Sequence, residues 1–174
     1  MSGIGTGLAA TLAYMHPESM ATYGQLAMVG GSGAGLGYYV STKIGPTELP
    51  QAVAAFHSLV GVAAAATAVG DFIAHDPTAH VDGFHLVSTY MGAWMGSITA
   101  TGSVIAYGKL AGSLDSNPLQ LAMRDQINVG LASASALGLV GFCASSSPGI
   151  AGASLATGVL SSGVLGLHMT SSIG

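Results

Sequence analysis

The sequence predicts an all-α protein, a polytopic bundle of about six transmembrane helices. The 174 residues include only three Lys or Arg and seven Asp or Glu, which makes 6% charged residues, against roughly 25% in a soluble domain. The overall hydropathy is positive. The few charges are clustered, and the uncharged stretches between them are long enough to cross a bilayer at about 1.5 Å per residue.

The predicted spans are placed by these uncharged stretches and together form a single transmembrane domain over residues 1–174. The first span, 1–15, would reach only about 22 Å as a helix and is therefore short of the roughly 30 Å hydrocarbon core. A signal peptide is the alternative for this segment, but no basic region and no small-residue cleavage site precede His16. The other five spans are predicted at 20–42, 49–71, 84–108, 126–146 and 149–172.

The span that begins at residue 49 has clear signals for the start of a helix. Thr47 is a plausible N-cap, Glu48 suits the positive end of the helix dipole, and Pro50 is tolerated in the first turn. The local role at this helix start could be all that Glu48 does. We nevertheless keep Glu48 as a lower-ranked candidate site residue.

The connecting segments indicate the orientation of the bundle. If the helices alternate in direction, Lys43, Lys109 and Arg124 all fall on one side of the membrane. The positive-inside rule makes that side the cytoplasm or the mitochondrial matrix. The segment 109–125 is its largest hydrophilic surface and the expected docking site for a soluble partner.

The 27 glycines predict close helix packing, because small residues let helix backbones approach one another in lipid. Two stripes of mostly small residues follow helical spacing, and we expect them to pack together. One stripe is Gly92, Gly96, Thr99 and Ser103; the other is Val53, His57, Gly61, Ala64 and Ala68. The run 30–37 is also rich in glycine, but it lacks the register and the following residues of a nucleotide loop, so helix packing explains it better.

His57 is the principal candidate residue, because it lies inside a run of 22 residues, 49–70, without a single charge. A titratable group in hydrocarbon is costly and by default marks a proton path, an ion path or a buried partner. A neutral imidazole both donates and accepts hydrogen bonds and exchanges a proton near neutral pH. The alternative is a hydrogen bond between helices that only specifies packing.

Two further residues are weaker candidates. His168 lies in the last span near its basic end, where a role in packing or at the helix end is the simpler interpretation. Ser103 could bind an imidazole or a water molecule, although serines in membrane helices more often bond to their own backbone. We treat Ser103 as secondary to His57.

Several functional classes are disfavoured. Cys143 is the only cysteine, so the chain cannot form an internal disulfide or a thiolate cluster. A net charge of −4 with three basic residues gives no footprint for nucleic acid. His75, His80 and His85 alternate with acidic residues, but their five-residue spacing does not stack metal ligands on a helix. We therefore predict no metal site and expect a solvated loop.

Four stretches of the chain resemble the membrane domain of proton-translocating NAD(P) transhydrogenase. The two longest and most specific are 47–61 (TELPQAVAAFHSLVG) and 96–110 (GSITATGSVIAYGKL); the others are the loop 117–124 and the ending 166–174 (GLHMTSSIG). This resemblance implies an enzyme that couples proton movement through the membrane domain to hydride transfer from NADH to NADP⁺. It also implies that His57 takes part in proton translocation, with Ser103 close to it.

The resemblance further implies that this chain cannot transfer hydride alone and binds no cofactor itself. NAD(H) and NADP(H) would be held by nucleotide-binding partner domains or subunits, and further helices would complete the membrane domain. The chain is then a subunit of a split enzyme or a fragment, in a complete assembly that we expect to be homodimeric. We expect it in the mitochondrial inner membrane, or in the plasma membrane if bacterial. The alternative is a non-conducting structural or accessory membrane subunit of a larger respiratory assembly.

Overall fold

The computed structural model describes residues 20–74 and 81–173, and it divides the chain into two units, Met1–Gly45 and Pro46–Gly174. The described residues form five α-helices and no strand, so the predicted all-α class is confirmed. The predicted first span, 1–15, lies outside the described residues. In the first unit, helix α1 covers Met20–Ser41, and none of its residues is buried within that unit.

The second unit contains the other four helices, whose bounds lie within three residues of the predicted spans. A short 3₁₀ turn, Pro46–Glu48, leads directly into α2. The helices are α2 (Leu49–Ala74), α3 (Gly83–Leu110), α4 (Arg124–Ala144) and α5 (Pro148–Ser171). The helix ends follow local chemistry: the Asp82 side chain caps α3 by accepting a hydrogen bond from the His85 N–H, and Pro148 starts α5.

Three segments of the described residues are long and apolar enough to cross a membrane: Pro46–Ala74, Arg124–Ala144 and Pro148–Ser171. The chain is therefore an integral membrane protein. Helices α1 and α3 are less apolar than these three segments, and their assignment as spans stays a prediction. In α3 the reason is its content of Gly, Ser, Thr and Tyr, several of which are buried within the unit.

Helix α3 is the central element of the second unit. It packs along α2 on one side and along α5 on the other, and α4 packs mainly against α5. Tyr90 is 1% exposed and belongs to the largest buried cluster, together with Phe142 and Leu155. The Tyr90 hydroxyl donates to the backbone oxygen of Ser135 at 2.7 Å. The hydroxyl fits because Gly158 has no Cβ, which would collide with it. The close approach of three helices thus satisfies a buried polar atom.

Helices α2 and α3 touch through their backbones. A Cβ added to Gly61 would lie 2.5 Å from the Ala100 nitrogen and 2.7 Å from the Gly96 oxygen. One turn earlier on α2, the Ser58 hydroxyl donates to the Ala100 oxygen at 3.1 Å. We call this contact between Ser58, Gly61 and Ala65 of α2 and Gly96 and Ala100 of α3 the glycine seam.

The glycine seam corrects the predicted packing stripe on α2. Gly61 and Ala68 are buried as expected, but Val53, His57 and Ala64 are exposed. The closest approach is centred on glycine because any side chain there would separate the backbones. The face that meets α3 is therefore turned toward Ser58 and Ala65, and the larger imidazole lies at its edge.

Candidate functional site

His57 lies near the middle of α2, nine residues after Glu48 and 14 before Asp71. At about 1.5 Å per residue these separations are roughly 14 Å and 21 Å along the helix. Between them α2 carries no other titratable side chain. Within this chain the His57 side chain is exposed, on the flank of the glycine seam, and the residue that follows it, Ser58, is bonded across the seam to Ala100.

The hydrogen bond of the His57 ring determines which nitrogen can exchange a proton. Its Nδ1 lies 2.8 Å from the backbone oxygen of Val53, one turn earlier in the same helix. A carbonyl oxygen only accepts, so Nδ1 carries a hydrogen in this arrangement. In the neutral ring Nε2 is then the free acceptor. The arrangement leaves Nε2 to accept and release a proton on the exposed flank.

The other two predicted site residues are not bonded to His57 in the described structure. Ser103 is partly buried on α3, one turn after Ala100 and therefore next to the glycine seam. Glu48 is exposed in the 3₁₀ turn at the start of α2, where its carboxylate suits the positive end of the helix. The structure places Ser103 on the helix that faces His57 and Glu48 at the beginning of the His57 helix.

A polar cluster at the end where α2 stops and α3 starts was not identified from the sequence. Asp71 Oδ2 accepts a hydrogen bond from the buried Thr89 hydroxyl and lies 2.9 Å from both the Thr89 Oγ1 and the His85 Nε2. The sequence did contain an indication of this cluster, since Asp71 lies near the end of α2 and Thr89 near the start of the next helix, α3. Of the other four residues considered for a metal, Asp82 caps α3, and His75, Asp76 and His80 lie outside the described residues. The described part of the chain contains no group of three potential ligands.

The opposite end of the second unit, which we call the basic end, holds Lys109 and Arg124. The Lys109 ammonium group donates to the backbone oxygens of Ser171, at 3.0 Å, and Ile173. The Leu119 N–H donates to the same Ser171 oxygen at 3.0 Å. Since the last carbonyls of a helix have no partner within it, a cation and an amide satisfy the end of α5.

His168 lies at this basic end, as expected, and has a partner that the sequence did not reveal. Its Nδ1 is 2.6 Å from the Asn128 Oδ1, which joins α5 to the start of α4. Its Nε2 is buried and has no hydrogen-bond partner among the described residues. His168 therefore combines an interhelical bond with an unsatisfied polar atom.

An open apolar groove of about 560 Å³ runs between α2 and α5 over α3. Val62, Ala66, Thr101 and Leu167 are among its lining residues, and His57 is not. The groove contains almost no polar surface.

Comparison with known proteins decides the family. The model of the NAD(P) transhydrogenase beta subunit family matches residues 1–174. The chain belongs to the NAD(P) transhydrogenase beta subunit family. Two NAD(P) transhydrogenase subunit beta proteins, both from Rhodospirillum rubrum, are 34% identical over 131 residues, which is 71% of this chain and 28% of each relative.

The chain thus spans less than a third of the length of these beta subunits. Its described helices, three of them apolar enough to cross a membrane, make it a membrane region of a transhydrogenase beta subunit. Membership of the family confirms the resemblance found from the sequence. The exposed flank of α2 at His57 is consequently a surface of a partial subunit.

Proposed function

We propose that this chain is the proton-translocating membrane segment of an NAD(P) transhydrogenase and that His57 carries the proton. Proton movement across the membrane would be coupled to hydride transfer from NADH to NADP⁺ on partner domains or subunits that bind NAD(H) and NADP(H). The observation that carries the proposal is the position of His57, the sole titratable side chain of α2 between Glu48 and Asp71. An ionisable group within a membrane span marks a transport path by default.

The geometry of the glycine seam supports a proton path on the other side of α2. Gly61 and Gly96 bring the backbones so close that a Cβ at either position would collide with the facing helix. In this proposal the path runs along the exposed flank of α2, where helices from the rest of the enzyme would complete it.

The hydrogen bond from His57 Nδ1 to the Val53 oxygen supports the proposed role of the other ring nitrogen. With Nδ1 holding its hydrogen, Nε2 accepts a proton from one side of the membrane, and the resulting imidazolium releases it to the other. Ser103, on the neighbouring helix α3, would bind a water molecule on this path. Glu48 would act in proton transfer at the start of α2.

The test is replacement of His57 in the complete enzyme. His57→Asn should reduce proton-driven NADPH formation by an order of magnitude or more, because an amide cannot take up a proton. The measurement is NADPH formation by reconstituted vesicles under an imposed proton gradient. Ser58→Ala is the matched control, since it removes a hydrogen bond across the glycine seam without changing a titratable group.

Normal coupled turnover in His57→Asn would rule out the proposal. The second candidate is a non-conducting accessory membrane subunit, and one observation favours it: within the described residues the His57 ring bonds only to its own helix. Purification of the native complex separates the two. Nucleotide-binding partner subunits would support the transhydrogenase, whereas a large respiratory assembly without them would support the accessory role.

The remaining features of the assembly are part of the same proposal. The partners would be the other helices of the beta subunit and the nucleotide-binding subunits, in a homodimeric enzyme surrounded by lipid. The membrane would be the mitochondrial inner membrane or a bacterial plasma membrane. In either case the basic end faces the matrix or the cytoplasm.

A further inference from the structure

His168 is a partly buried titratable residue that the proposed path through His57 does not use. Its Nδ1–H donates to the Asn128 Oδ1 at 2.6 Å, because an amide oxygen only accepts. The neutral ring therefore presents an acceptor at Nε2. That atom is shielded from solvent and has no partner among the described residues.

An unsatisfied buried polar atom costs free energy of about 1–3 kcal/mol and is uncommon in native proteins. A histidine that served only to join α4 and α5 would need the Asn128 bond alone, and this bond gives Nε2 no function. The retained nitrogen indicates that Nε2 meets a proton or a water molecule in another conformation of the protein.

A neighbouring contact shows what could open this site. Three residues after His168, the Ser171 oxygen is held by both the Lys109 ammonium group and the Leu119 N–H. We call this set of contacts the Ser171 latch. It ties the last turn of α5, which contains His168, to the loop between α3 and α4.

We propose that His168 is a second protonation site of this chain, that Nε2 is the atom which takes the proton, and that the Ser171 latch controls access to it. In the described structure the latch is closed and the site is shielded. Movement of the 111–123 loop would release the end of α5 and expose Nε2 at the basic end. The role in proton movement rests on the proposed function, whereas the geometry of the site does not.

Few other charged groups act on this site. Lys109 of α3 is engaged by the Ser171 and Ile173 oxygens, and on α4 Arg124 is paired with Asp125 at 3.1 Å. Helix α2, which barely touches α5, carries only His57 and Asp71. In this proposal the state of the latch is the main control on protonation of His168.

Hydrogen–deuterium exchange at the imidazole C2 position, followed by mass spectrometry, tests this in the assembled enzyme. This exchange passes through the protonated ring, so its rate reports both solvent access and protonation of each histidine. His168 should exchange several-fold more slowly than His57 in the wild type. Lys109→Met should accelerate exchange at His168 several-fold and leave His57 unchanged.

Lys43→Met is the matched control, since Lys43 lies over the Tyr39 ring in the other unit and does not take part in the latch. It should leave exchange at His168 unchanged, and Lys109→Arg should restore the slow rate. If Lys109→Met does not assemble, Asn128→Leu provides the second variant, because a ring without its acceptor can turn and expose Nε2. Equal exchange at His168 in the wild type and in the variants that assemble would overturn the proposal.

Fast exchange at His168 in the wild type, similar to that at His57, would also overturn it, because Nε2 would then not be shielded. These outcomes are independent of coupled turnover. If His57→Asn kept normal coupled turnover, the proposal for His57 would fail, but the exchange rates at His168 would still test the proposal for His168.

Discussion

Gly61 and Gly96 face each other so closely that neither position can carry a side chain. A Cβ on Gly61 would lie 2.7 Å from the Gly96 oxygen, and one on Gly96 would lie 2.6 Å from the Gly61 oxygen. The atoms that would have to move are backbone atoms of the facing helix. This reciprocal contact fixes the distance between the two helices that carry His57 and Ser103.

The first prediction concerns this contact. Gly61→Ala should lower the free energy of unfolding by about 1–3 kcal/mol, because the added methyl forces the backbones apart. Gly70→Ala, on the same helix, is the control: a Cβ there meets no atom within 4 Å, and alanine favours helix. Thermal unfolding of the purified enzyme measures both, and equal midpoints for the two variants would contradict the prediction.

The second prediction concerns the contact between α3 and α5. The nearest acceptor of the Thr101 hydroxyl is the Gly163 oxygen of α5 at 2.8 Å, with the Ser97 oxygen of its own helix at 3.0 Å. The Thr67 hydroxyl bonds only to Ala63 of its own helix among the described residues. Thr101→Val should cost about 0.6 kcal/mol, the average for such bonds in membrane proteins. Thr67→Val should have a smaller effect. Denaturant titration in mixed micelles compares the two, and a larger loss for Thr67→Val would be inconsistent with the structure.

The third prediction concerns the buried hydroxyl of Tyr90. Tyr90→Phe should destabilise the protein by about 0.5–1.5 kcal/mol, the net value of one hydrogen bond. Gly158→Ala should cost more, because its methyl would occupy the position of the Tyr90 ring and hydroxyl. In the double variant the cost of Gly158→Ala should decrease, since the hydroxyl is then absent. Additive losses in a double-mutant cycle would count against this contact.

The fourth prediction is a pH dependence in the loop between α3 and α4. The Asn117 N–H donates to the Asp115 Oδ1 at 2.9 Å, and this bond lowers the pKa of Asp115, with a further contribution from Lys109. A carboxyl with a lowered folded-state pKa stabilises the fold above its unfolded pKa, and this contribution is lost as the pH falls through the folded value. Protection of the Asn117 amide should therefore decrease in strong acid.

Amide exchange at Asn117 measures this effect, with Asp115→Ala as the reference. The variant should show weak protection throughout, and the wild type should approach it only at a pH below the ordinary range for aspartate. Identical exchange in the two proteins at neutral pH would show that the bond is not formed.

Helix positions were predictable from the sequence, but the helix faces were not. Uncharged runs bounded by residues such as Glu48 and Asp71 determine where a helix can lie in lipid, and α2 to α5 follow them. The face that a helix turns toward its neighbour depends on which of its glycines contacts the neighbour's backbone. The spacing rule selected Ala64, whereas the structure brings Ala65 against Gly96 of the other helix.

The site was predictable to a similar extent. His57 follows from the cost of a titratable group in a long uncharged run, a property of one segment. The Asn128–His168 bond joins residues 40 positions apart, and the Lys109–Ser171 bond residues 62 apart. Such pairs depend on which helices are neighbours in space. No local pattern in a single sequence indicates that arrangement.

The glycine seam also has a mechanical consequence. Side chains at an ordinary helix contact can change rotamer and let two helices slide, but atoms of the main chain have no such freedom. Helices α2 and α3 should therefore travel together as one stiff hairpin. Any switch of His57 between the two aqueous compartments must then come from motion of the protein around this hairpin.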